Sequence, residues 1–181
     1  MTVLEETAAL LHSLRDVWDE EAVDELDHAL QSAARAIDDG ADDELVLAAA
    51  LHDLGHSPLL DETAYERHDS AAREWLSQRY GERVGWLAGA HVAAKRYLAA
   101  TDPAYAPSQA STLSLHAQGG AAVESAWVSH PWWPDALRLR RYDDAAKDPA
   151  AGSEGRAATI DDVLEIAERV IRQREPVGES P

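Results

Sequence analysis

The feature that most constrains this chain is the run Leu45 to Leu51, seven consecutive apolar residues followed by His52-Asp53-Leu54-Gly55-His56 and Pro58. A segment of that kind is buried on every side, and the Gly and Pro that follow end it as a helix. It therefore delivers a His-Asp pair into the protein interior. Buried ionisable groups are costly unless they are paired or bound to metal, so His52 and Asp53 require partners. Taken alone, the pair fits a hydrogen-bonded helix end as well as a metal site. The histidines and carboxylates elsewhere in the chain decide between the two.

Ala- and Leu-rich stretches recur at helical period, Val/Ile/Thr alternation is nearly absent and there is no Phe, so the chain reads as all-α. Helices are expected over 3–16, 21–38, 42–53, 63–79, 83–99, 121–128, 134–146 and 159–173. The polar stretch 111–120, closed by Gly119-Gly120, reads as a binding loop. One domain is expected over 1–148, a linker over 149–158, and a C-terminal helix and tail over 159–181, the helix either docking on the domain or meeting another subunit.

A formal charge of −18 argues against nucleic acid or an anionic membrane surface as partner. The absence of cysteine excludes disulfides, zinc-thiolate sites, iron–sulfur clusters and thiol nucleophiles, so any metal ligands are His and carboxylate. No apolar stretch approaches the roughly 20 residues that span a bilayer, and a cytoplasmic protein, monomer or homodimer, is expected.

Periodicity places His91 on the stripe Val84, Leu87, His91, Ala94, Leu98, with Lys95 one turn further, and His68 at the head of Ala71, Ala72, Trp75, Leu76. His28 lies nearly opposite its helix's apolar stripe, which predicts a solvated side chain unless that helix is covered on both sides. Arg140, Asp143 and Lys147 share one face. They form either an exposed ion-pair ladder, with Asp144 paired to Arg141, or a carboxylate ligand beside an anion contact.

The order His, His-Asp, His, His, Asp resembles the HD superfamily of helical metalloproteins. The strings Asp27-His-Ala-Leu-Gln31, His52-Asp-Leu-Gly-His56, His91-Val-Ala-Ala-Lys-Arg-Tyr-Leu98, Ser114-Leu-His-Ala-Gln-Gly-Gly120 and Leu139-Arg-Arg-Tyr-Asp-Asp-Ala-Ala-Lys147 narrow the resemblance. They are similar to the phosphonate-degrading branch of HD-domain mixed-valent di-iron oxygenases, relatives of myo-inositol oxygenase, over roughly residues 18–148. The resemblance implies a single-domain HD-domain helical bundle with two iron ions, Fe(II)/Fe(III), and O2 as co-substrate. His28, His52 and Asp143 would bind one iron and His68 and His91 the other, with Asp53 bridging. It also implies substrate contacts at Glu21, His56, Lys95, Ser114, Gln118 and Arg140, with His56 and Lys95 closest to the chemistry.

The implied substrate is a small 1-hydroxyalkylphosphonate, amino- or trimethylammonium-substituted forms included, cleaved at carbon–phosphorus to phosphate and a carboxylic acid. A metal-dependent phosphohydrolase acting on a small phosphate ester or nucleotide is the second reading, and a structural helical module the third. Two departures from the family pattern are visible. Trp18 stands where the family has Tyr, so its indole is expected to fill part of the cavity, and Ala121-Ala122 replaces Pro and Met at the expected cavity floor.

Overall fold

The computed structural model describes residues 1–19, 22–60 and 68–174, the side chains of 68, 69 and 71 excepted. Among these residues the α-helices are α1 (Val3–Ser13), α2 (Glu25–Asp38), α3 (Asp43–Leu51), α4 (His68–Tyr80), α5 (Glu82–Thr101), α6 (Gln109–Ala117), α7 (Ser125–Val128), α8 (Trp133–Ala145) and α9 (Ile160–Arg174). A 3-10 turn, Leu54–His56, follows α3. No strand occurs among the described residues, as an all-α chain requires.

The starts of several helices are fixed by side-chain caps. Thr2 and Glu5 form a reciprocal capping box on α1, and Asp24, Asp42 and Ser108 accept from the third backbone N–H of α2, α3 and α6. Asp24 also accepts from Arg15 Nη1 at 2.9 Å and Asp16 N at 3.0 Å. This one carboxylate therefore ends the α1 turn and starts α2, which begins at Glu25 and not at the expected residue 21.

α3 is buried throughout from Leu45 to Leu51 and packs against α2, α5, α8 and α9. The core gathers around it from every other long helix, including Val163, Ile166, Ala167 and Val170 of α9, which docks on α1, α3 and α4. Turns over 148–155 lie on α2, with Gln31 Nε2 donating to Asp148 O at 2.9 Å and Ala158 N to Leu30 O at 3.1 Å. Arg83 of α5 ties the bundle at one end, donating to Asp42, Glu44 and Asp135, the last at 2.9 Å. No helix among the described residues is long and apolar enough to cross a membrane.

Two sequence expectations fail. Residues 109–117 form a helix where a loop was expected, because one side of α6 faces a polar cavity and its Ser-rich face carries no apolar stripe. The helix expected over 121–128 shrinks to Ser125–Val128. Gly119 and Gly120, both with positive φ, reverse the chain first, and Ala122 N is tied to Arg96 O.

α4 and α5 approach closely through Gly85. A Cβ there would sit 2.0 Å from Ser77 Oγ and 2.6 Å from Arg73 O, a backbone atom that cannot swing aside. Gly85→Ala should therefore lower the thermal midpoint despite alanine's better helix propensity, through about 1–3 kcal/mol of overpacking. An unchanged or raised midpoint in a thermal melt would contradict the close contact.

Candidate metal and substrate site

His52 caps the C-terminus of α3, so the apolar helix ends with its imidazole buried and with Asp53 in the following turn. Three histidines converge on this carboxylate from three helices. Each spends its Nδ1 on a backbone carbonyl: His28 on Ala146 O at 2.9 Å, His52 on Ala49 O at 2.9 Å, and His91 on Ala88 O at 2.6 Å. A carbonyl only accepts, so each Nδ1 carries a proton, and Nε2 is the ring atom that would face a metal once its own proton is lost. All three Nε2 atoms approach Asp53, and those of His28 and His52 also approach Asp143.

Asp53 divides its oxygens between two groups. Oδ2 lies 2.9 Å from His52 Nε2 and 3.6 Å from His28 Nε2, and Oδ1 lies 3.6 Å from His91 Nε2 and 4.0 Å from His56 Nε2. Asp143 of α8 joins the first group, with Oδ1 3.5 Å from His28 Nε2 and Oδ2 3.4 Å from His52 Nε2. Donors about 2 Å from one ion stand about 3 Å or a little more apart on neighbouring corners, which is the spacing seen here. His28, His52 and Asp53 are a group able to hold a metal ion.

The donor chemistry passes a second test. His52 Nε2 is buried without a hydrogen-bond partner, although it lies 2.9 Å from Asp53 Oδ2. The two atoms sit side by side, in the arrangement of two ligands to a third body and not of donor and acceptor. The carbonyl bonds at Nδ1 are the outer contacts that orient metal-binding histidines.

Burial of His28 reverses the solvation that periodicity predicted. α2 packs against α3 on one side and α8 on another, so its polar face is covered and His28 is 2% exposed. The ladder on α8 is likewise buried: Arg140 Nη1 donates to Asp143 Oδ2 at 2.6 Å, and it is Arg140, not Arg141, that pairs with Asp144. Arg140 Nε also donates to Tyr105 Oη at 3.0 Å.

Beside the carboxylates lies a small, partly open cavity lined by His56, Lys95, Ser114, Gln118 and Arg140, together with Asp19, Glu25 and Ser111, which the sequence pattern did not single out. Lys95 is 4% exposed and donates to Ser114 Oγ at 2.6 Å. Glu25 was within reach of sequence reasoning: it precedes His28 by three residues and so shares its face. Glu21 and the side chain of His68 lie outside the described residues. Trp18 does not fill the cavity. It is 59% exposed, because residues 17–19 follow the α1 turn without helical structure, and Asp19, itself exposed, is the residue of this stretch that borders the cavity. Ala121 and Ala122 are not among the described lining residues either.

The charges respond to this crowding. Burial alone would raise Asp143, but the Arg140 guanidinium and the neighbouring imidazoles hold it well below the usual carboxylate range. Burial would lower His52, yet Asp53 and Asp143 raise it to about 10. Burial and the Asp53 carboxylate push Glu25 up to about 8. Burial, reinforced by Arg140, lowers Lys95 to about 8.

No family model matches the chain. Over 138 residues it is 35% identical to the 1-hydroxy-2-(trimethylamino)ethylphosphonate dioxygenase (glycine-betaine-forming) of Leisingera caerulea, a match covering 70% of each chain. Over 141 residues it is 35% identical to the hydroxymethylphosphonate dioxygenase of Gimesia maris, covering 71% of this chain and 70% of the other. The chain belongs to the phosphonate dioxygenase family.

Metal must displace protons from these imidazoles, so uptake by this phosphonate dioxygenase relative should strengthen with pH. Without metal the sign is opposite for stability. His52 is raised in the fold, so its pairing contributes fully below its unfolded value of about 6.5 and is lost as pH rises through about 10. The metal-free thermal midpoint should fall by at least ~4 °C between pH 7 and pH 10, and the metal-loaded midpoint by less. Equal falls in both forms would show that the imidazoles do not exchange protons for metal.

Proposed function

We propose that this chain is an O2-dependent di-iron oxygenase that cleaves the carbon–phosphorus bond of a small 1-hydroxyalkylphosphonate. The observation that carries this reading is the split carboxylate: Asp53 turns one oxygen to His28 and His52 and the other to His91, beside a cavity bearing Lys95 and Arg140. In this reading His28, His52 and Asp143 would hold one iron and His91 the other, with His68 added by the family resemblance and Asp53 shared between the two sets. Imidazole and carboxylate suit iron, and a carboxylate with two free oxygens suits a pair of ions. The iron pair, when bound, supplies the redox chemistry that activates oxygen.

The overall change balances without another reductant. RCH(OH)PO3H2 and O2 give RCOOH and H3PO4, so one oxygen molecule supplies both added oxygen atoms and takes up the four electrons released at carbon and the cleaved bond.

The chain's own part is to bind and orient. Lys95, braced by Ser114, presents its ammonium to the phosphonate, and Gln118 and Arg140 complete the donor-rich end. Arg140 also acts on the metal centre, because its bond to Asp143 Oδ2 fixes that carboxylate's orientation beside the two imidazoles. His56 stands at the rim of the centre, 4.0 Å from Asp53 Oδ1, where it can hold or move a proton at the reacting end of the substrate. Burial of these groups keeps bulk water from the centre and strengthens every charge contact there.

Iron-loaded protein should release phosphate from hydroxyphosphonates in air and none under anaerobic conditions. Oxygen-independent release from phosphate esters would overturn the oxygenase reading. Lys95→Met should raise KM roughly 10- to 100-fold, the worth of a buried charge-assisted hydrogen bond, with iron content unchanged. In the wild type, kcat/KM should fall above pH 8 as Lys95 loses its proton, and Lys95→Arg should remove that limb.

A further inference from the structure

α6 stands apart from the apolar core. It buries only Ser111 and Leu115, and neither belongs to the core gathered around α3. Yet α6 and the residue that ends it bring Ser114 and Gln118 to the cavity. Without apolar packing, the placement of these two side chains depends on polar contacts with the bundle. At the N-terminal end Lys147 Nζ donates to Ser108 Oγ at 3.1 Å and Ser111 Oγ at 3.0 Å, and Arg140 Nη2 donates to Ser111 Oγ at 3.3 Å. At the C-terminal end the attachment is Arg96 of α5. Its Nε donates to Gly120 O at 2.8 Å, its Nη1 pairs with Glu124 Oε1, and its backbone carbonyl accepts from Ala122 N at 3.1 Å. Gly119 has a positive φ, and a Cβ on it would stand 3.4 Å from Arg96 Nη2, so the guanidinium lies against the turn that follows Gln118. Gln118 Oε1 is buried and has no hydrogen-bond partner among the described residues. No bond at that oxygen holds the carboxamide, so the backbone beneath it decides where it lies.

We propose that Arg96 is a positioning residue for substrate binding: it fixes the turn after α6 and so holds the Gln118 carboxamide in the cavity, without touching substrate itself. This role rests on the oxygenase reading above and deepens it. Arg96 is not among the described lining residues, whereas Lys95, its neighbour in the chain, is. Its charge is paired with Glu124, so what it supplies to the cavity is geometry and not field. The planar fork of an arginine can donate to a carbonyl and a carboxylate at once, which the single ammonium of a lysine does less well.

Steady-state kinetics of the iron-loaded chain with hydroxymethylphosphonate test this. Arg96→Met should raise KM roughly tenfold while kcat and iron content change by less than about twofold, the pattern of lost substrate binding. Arg96→Lys, which keeps the charge and loses the fork, should raise KM nearly as much. In a Gln118→Ala background, Arg96→Met should add less than about twofold, because its effect runs through a carboxamide already removed. Glu124→Gln, which frees one end of the guanidinium, should raise KM about threefold and serves if Arg96→Met does not fold. Wild-type KM in both Arg96→Met and Glu124→Gln, full rescue by Arg96→Lys, an undiminished rise in the Gln118→Ala background, or a fall in kcat and iron content as large as the rise in KM would overturn the role of Arg96 and leave the oxygenase reading standing. Absence of oxygen-dependent phosphate release by the wild type would overturn both.

Discussion

The site depends on three hydrogen bonds that never touch substrate. His28, His52 and His91 each donate Nδ1–H to a backbone carbonyl, two of them within the ring's own helical turn and one across to the end of α8. Those bonds fix each ring's orientation, so three Nε2 atoms converge on Asp53, two of them shared with Asp143. Without them each imidazole could rotate to satisfy itself, leaving Asp53 without its partners and Asp143 with Arg140 alone.

Backbone carbonyls can play this part only where helices are held rigidly. The buried α3 supplies that rigidity, since every residue from Leu45 to Leu51 packs against neighbouring helices. The close α4–α5 contact at Gly85 holds α5, which carries His91 and Lys95, and the caps at Asp24 and Asp42 fix where α2 and α3 begin. Packing and capping thus set the positions of side chains whose own chemistry contributes little to the fold.

Electrostatically the protein resolves an apparent conflict. A chain of net charge −18 would repel an anionic substrate, yet the local field at the cavity's inner end comes from Lys95 and Arg140. Arg140 is divided between Asp143, Asp144 and Tyr105, which makes it as much a brace for the Asp143 carboxylate as a cation at the cavity. Lys95 donates to the uncharged Ser114 hydroxyl, so it is the less neutralised of the two cations.

The helical class, the buried His52-Asp53 pair and the inward aim of His91 and Lys95 follow from the sequence itself, because an unbroken apolar run and a three-and-four apolar stripe each leave a helix few ways to lie. The family strings added the remaining candidate residues. Tertiary structure decided what periodicity could not. His28 is buried because α8 covers the polar face of α2, and residues 109–117 are helical although their inward face is polar, since it lines a cavity. Trp18 is exposed because the chain leaves helical geometry after α1, and the neighbouring Asp19 borders the cavity instead. In each case one face of an element meets a polar interior, and hydrophobic spacing cannot distinguish such an interior from solvent.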